Sequence, residues 1–94
     1  MKELSMSDYI SYYTEKYLNA TSEEEKHDLY EELVEYTTKK CKELFGKTDE
    51  DIEENHGLVF FEDLQKLEDR KLAANYLALN NLILMHINEE FDKL

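Results

Sequence analysis

Glu24 and His27 stand three positions apart, and so do Glu53 and His56. On a helix that interval stacks two side chains one turn apart, so a carboxylate and an imidazole could hold one metal ion. A two-metal site built this way needs two further glutamates aimed inward from other helices. Glu24 and His27 fall at the start of a helix and away from its apolar stripe, while Glu53 and His56 adjoin Gly57. With 23 acidic residues among 94, such pairs arise from composition alone. Neither a metal site nor any cofactor is expected.

The other chemical patterns are weaker still. Asp49, Asp51 and Glu53 follow the first ligands of an EF-hand loop. The sixth position is then Glu54 where glycine is needed, and the twelfth is Phe60 where a bidentate glutamate is needed. His86 lies in an uncharged stretch with no nucleophile or orienting acid at a recognisable interval, which predicts a core or interface histidine bonded to a neighbour such as Asn81 or a carbonyl. Cys41, the single cysteine, falls on an apolar stripe and reads as a buried structural thiol. No glycine-rich phosphate loop is present. These residues predict a protein that is not an enzyme.

Charge is the stronger signal. The chain carries 23 acidic against 11 basic residues, a net charge of −12. That balance repels nucleic acid and anionic membranes and attracts basic protein surfaces. It also keeps a small protein soluble without any further role. The acids are grouped. Glu24, Asp28, Glu31 and Glu35 form one stripe, with Glu25 and Glu32 beside it. Asp49, Glu50, Asp51, Glu53 and Glu54 form a second cluster, and Glu62, Asp63, Glu68 and Asp69 a third. Carboxylates one helical turn apart lie about 5–6 Å from each other. That is on the scale of nucleic-acid phosphates, about 3.4 Å of axis per strand step.

The elements that position these groups are helices. Absence of proline and only two glycines favour long, uninterrupted ones. The pattern predicts an all-α bundle in one acidic domain over residues 1–94, with main helices near 7–19, 22–45 and 60–92 and a short helical turn near 49–55. Ser7 is placed to cap the first, which carries Met6, Ile10, Tyr13 and Tyr17 at helical spacing. The second opens with Thr21-Ser22 ahead of Glu24-Glu25 and closes at Gly46. Its apolar stripe is Tyr30, Val34, Thr37, Cys41 and Leu44. Leu58–Phe61 reads as an extended connector or the first turn of the last helix.

The stretch LAANYLALNNLILMHIN, Leu72 to Asn88, holds no charge in a chain 36% charged. Ala73, Leu77, Leu84, Ile87 and Phe91 make one stripe, and Leu72, Tyr76, Leu79 and Ile83 a second. A helix apolar on most sides is expected to be buried on most sides. It is too short and too rich in asparagine to span a membrane. A helix over 60–92 would nevertheless run about 45–50 Å, longer than a domain of this size is wide. Either it breaks at Asn80-Asn81, or one end projects. A homodimer through the 72–91 helix would cover the leftover apolar surface. Asn88 reads as a wet edge. The start, MKELSMSDYI, has no apolar leader run, and the lone cysteine fits a reducing, cytoplasmic setting.

Tyr9, Tyr12, Tyr13 and Tyr17 crowd one short helix, so at least one is expected outside, with Tyr9 and Tyr12 as partner anchors. In size and charge the chain is similar to the small acidic inhibitors that phages make against restriction and CRISPR systems. The expectation is a non-enzymatic inhibitor occupying the basic surface of a nucleic-acid-binding enzyme or regulator in a bacterial or phage-infected cell, without itself touching nucleic acid or membrane. The alternative is an antitoxin, immunity protein or regulatory subunit that binds through an apolar, tyrosine-rich face.

Overall fold

The computed structural model describes residues 5–93. The leader-free reading of MKELSMSDYI rests partly on residues 1–4, which lie outside that range. The protein is an all-α bundle: α1 (Met6–Asn19), α2 (Glu23–Phe45), α3 (Asp49–Glu54), α4 (Phe61–Lys66) and α5 (Arg70–Asp92). The three long helices α1, α2 and α5 pack on one another, and α4 packs on α5.

Four of the five helices start on a side-chain cap; α4, which follows Phe60, does not. Ser5, two residues ahead of the expected Ser7, accepts the Asp8 N–H at 3.2 Å and starts α1. Ser22 accepts the Glu25 N–H, and three glutamates follow in the first turn of α2, where the helix dipole favours anions. Gly46 ends α2 in the left-handed conformation at φ +66°, which an L side chain adopts only with strain. Thr48 and Asp51 form a reciprocal capping box on α3.

The expected helix over 60–92 is two helices. The break falls at Leu67–Asp69, not at Asn80-Asn81. Leu67 turns extended, and the Asp69 carboxylate accepts the Lys71 and Leu72 N–H groups at 3.0 and 3.2 Å, nucleating α5 afresh. The 23 residues of α5 then span roughly 34 Å. That fits within molecular dimensions of 38 × 32 × 22 Å.

Leu58–Phe60 is the extended connector, and Asn80 holds it. The Val59 N–H donates to Asn80 Oδ1 at 2.7 Å, and Asn80 Nδ2 donates to the Val59 carbonyl at 3.1 Å. A side-chain amide thus satisfies both polar groups of a buried non-helical residue. Gly57, at φ +78°, lets the same connector pass α2, where an added Cβ would meet Val34 Cγ1 at 3.3 Å.

The core mixes aromatic and aliphatic side chains in one cluster. Tyr13, Tyr17, Tyr76, Leu33, Leu79 and Ile83 are fully buried, with Thr37 donating its hydroxyl to the Leu33 carbonyl at 2.9 Å. Cys41 is buried, and desolvation pushes its thiol up to about 11. Two apolar expectations are corrected. Leu44 of the α2 stripe is exposed, and α5 is not covered on most sides. Only its Tyr76, Leu79, Ile83 and His86 face is buried; Leu77, Leu84 and Phe91 point outward. Two other long helices cannot wrap a third completely, so one of its two apolar stripes remains outside. Among the described residues no helix is long and apolar enough to cross a membrane.

Candidate interaction surface

The fold turns the acidic stripe of α2 outward. Leu33, Thr37 and Cys41 face the core, which places Glu24, Asp28, Glu31, Glu32 and Glu35 on the solvent side, all exposed. Among the described residues their ionic contact is His27 Nε2 to Glu31 Oε1, at 3.1 Å. Two lysines of α2 are engaged elsewhere: Lys26 reaches Glu89 at 3.7 Å, and Lys42 pairs with Asp49. Like charges one turn apart along the stripe repel one another.

The second cluster is split by its local duties. Glu50, Glu53 and Glu54 are exposed. Asp49 is tied to Lys42, and the Asp51 carboxylate accepts the Thr48 N–H at 3.1 Å, bonds that hold it below the usual carboxylate range. Two fixed points set α3 beside the second half of α2: the Asp49–Lys42 pair at one end and Gly57 against Val34 at the other. In the third cluster, Asp63 is buried and neutralised by Lys47 at 3.3 Å, and Asp69 is the α5 cap. Those two acids are structural.

Tyr9 is corrected. It is 7% exposed and stacks on Tyr36 with ring centroids 3.9 Å apart, so it is core and not a partner anchor. Tyr12 is 40% exposed, and the Lys16 ammonium lies 5.9 Å from its ring. Among the four tyrosines of α1 it alone is free to meet a partner with its ring.

A buried polar cluster escaped sequence reasoning. The Tyr17 hydroxyl donates to Glu89 Oε2 at 2.6 Å and lies 2.9 Å from His86 Nδ1. Its one proton goes to Glu89, so Nδ1 of His86 must carry the proton of the second bond. That leaves Nε2 bare, 3.7 Å from Glu90 Oε1. The Tyr30 ring stacks on the imidazole at 4.3 Å. Burial pushes His86 below the ordinary histidine value, against the pull of Glu90 and Glu89. The expected partner, Asn81, lies instead on the exposed side of the helix. The cluster joins residues 69 and 72 positions apart, a separation at which spacing carries no signal.

Among the described residues no group of three or more His, Cys, Asp or Glu side chains is placed to hold a metal ion. Glu24 and Glu53, the carboxylates of the two Glu-x-x-His pairs, both point to solvent. No protein-family model matches the chain, and no curated protein or solved structure is detectably similar to it.

Proposed function

We propose that this chain is an acidic binding protein that occupies a basic, nucleic-acid-binding surface of a partner protein and so blocks that partner. The observation that carries the reading is the α2 stripe: Glu24, Asp28, Glu31, Glu32 and Glu35 are exposed together on one helix, and among the described residues the ionic contact seen on them is that of His27 with Glu31. A charge-matched partner would relieve the repulsion between them. The exposed Glu50, Glu53 and Glu54 on α3 supply further acids beyond the stripe.

Carboxylates on a helix are a fixed row, and a groove lined with lysine and arginine accepts a row of anions whatever the backbone that bears them. Recognition of that kind is electrostatic and weakens steeply as salt rises. The experiment is competition. A basic partner captured on the immobilised protein should be released by moderate salt and by duplex DNA or RNA. A captured partner that resists both contradicts the reading.

The second reading, a bundle partner held by an apolar face, draws support from the outward Leu77, Leu84 and Phe91 of α5. Of its tyrosines Tyr12 stays open to a partner, whereas Tyr9, Tyr13 and Tyr17 are core.

A further inference from the structure

The outward side of α5 has a regular register. Ala74, Leu77, Asn81, Leu84, Asn88 and Phe91 follow one another at alternating intervals of three and four, and every one of them is exposed. That is the a/d repeat of a two-helix seam. The buried residues Tyr76, Leu79, Ile83 and His86 follow the same alternation two positions later, on the opposite side. One helix thus bears two heptad stripes, and the bundle uses only the inner one. The positions flanking the outer stripe are Ala73, Ala78, Asn80, Met85 and Ile87, all uncharged, with Asp92 beside Phe91 at its end. Leu77, Leu84 and Phe91 are 51, 41 and 67% exposed, large apolar side chains aligned on one face.

We propose that this seam docks, antiparallel, on α5 of a second copy of the chain. Charge selects the occupant and the direction. The seam is an uncharged strip on a molecule of net charge −12, so it is where two copies can meet without bringing carboxylates together along the contact. Arg70 and Lys71 follow the Asp69 cap at one end of α5, and Glu89, Glu90 and Asp92 stand with Lys93 at the other. An antiparallel pair sets the basic end of each helix beside the acidic end of its mate and opposes the two helix dipoles. A parallel pair would match Asn81 and Asn88 with their own copies, but it would also crowd six carboxylates at one end. Antiparallel registry further puts small Ala74 opposite large Phe91 of the second copy at both ends of the seam, which fills space better than like against like. The inference is independent of the proposed function, and the two have opposite salt dependence. Screening of the net charges strengthens self-association, whereas it weakens capture of a basic partner.

Sedimentation equilibrium of the purified full chain, over a concentration series at low and high salt, tests the pairing. A monomer–dimer equilibrium that shifts toward dimer with salt is expected. Leu77→Glu with Leu84→Glu should abolish it, leave helical circular dichroism as it was, and melt like the dilute, monomeric wild type at every concentration, since both side chains are outside the core. Oxidative cross-linking tests direction. Ala74→Cys mixed with Phe91→Cys should give covalent dimers, while Ala74→Cys alone should give none beyond the wild-type background set by buried Cys41. A monomer at every concentration, a dimer that survives the double glutamate substitution, or self-linking of Ala74→Cys would overturn the proposal.

Discussion

The side-chain amide of Asn80 closes a two-bond ring on the backbone of Val59, accepting its N–H at 2.7 Å and donating to its carbonyl at 3.1 Å. A residue in the middle of α5 thereby does for the connector what a neighbouring strand would do. Asn80→Ala leaves both Val59 groups without that partner, and Val59 is 3% exposed. A loss of about 1–3 kcal/mol in urea unfolding is expected. Asn81→Ala, one position on and exposed, should leave the stability of the monomer unchanged or slightly raised, because alanine is the better helix former. Equal losses at the two positions would contradict the assignment.

Asp63 is 6% exposed and depends on Lys47 at 3.3 Å for compensation. Lys47→Met strands the carboxylate in an apolar setting, and Lys47 is itself partly open to water, so the expected loss is about 1–3 kcal/mol. Adding Asp63→Asn to Lys47→Met should recover part of it. A double-mutant cycle by chemical denaturation measures the coupling.

The buried cluster sets the direction of the pH response. Burial lowers the folded pKa of His86 below its ordinary value of 6.5. In the window below that value the unfolded chain binds the proton more readily, so stability present at neutral pH is lost as pH falls. Glu89, held below the usual carboxylate range by the Tyr17 hydrogen bond, acts in the same direction at lower pH. The urea midpoint should fall between pH 7 and mildly acidic pH in the wild type. His86→Gln should flatten that fall while lowering the midpoint at pH 7. A wild-type midpoint that rises on acidification would contradict the sign.

The tyrosines of α1 differ sharply in weight. Tyr9→Ala removes a buried ring stacked on Tyr36, and a loss of about 3–5 kcal/mol is expected. Tyr12→Ala removes a half-exposed ring and should cost less than about 1 kcal/mol. Tyr13, 1% exposed, keeps its hydroxyl without a hydrogen-bond partner among the described residues. Tyr13→Phe should therefore be neutral or stabilising.

Much of the bundle was legible because its signals are local. Ser22, the run of first-turn glutamates, the lysines near the end and Gly46 bracket α2 in the sequence as they do in space. The acidic stripe of α2 was legible for the same reason: its outward side follows once Leu33, Thr37 and Cys41 are inward. The split between α4 and α5 was hidden because Leu64, Leu67 and Leu72 continue an apolar pattern across it, masking the Asp69 cap. The two stripes of α5 look equally apolar in the sequence. Only the packing of α1 and α2 against one of them decides which is core. Tyr9 was misplaced for a related reason, since its burial depends on Tyr36 of α2, 27 positions away.

The central claim is that the exposed carboxylates of α2 are a binding surface and not only a solubilising one. The most direct measurement compares the wild type with the isosteric triple variant Glu31→Gln, Glu32→Gln, Glu35→Gln. Both would be immobilised, exposed to bacterial lysate, eluted in steps of rising salt, and each captured protein tested for nucleic-acid binding in the presence of either form. The variant relieves repulsion along the stripe, so it should fold at least as stably as the wild type. The account predicts a basic nucleic-acid-binding protein that the wild type captures, releases at moderate salt and inhibits, and that the triple variant neither captures nor inhibits. Capture and inhibition at full strength by the neutralised protein would contradict it.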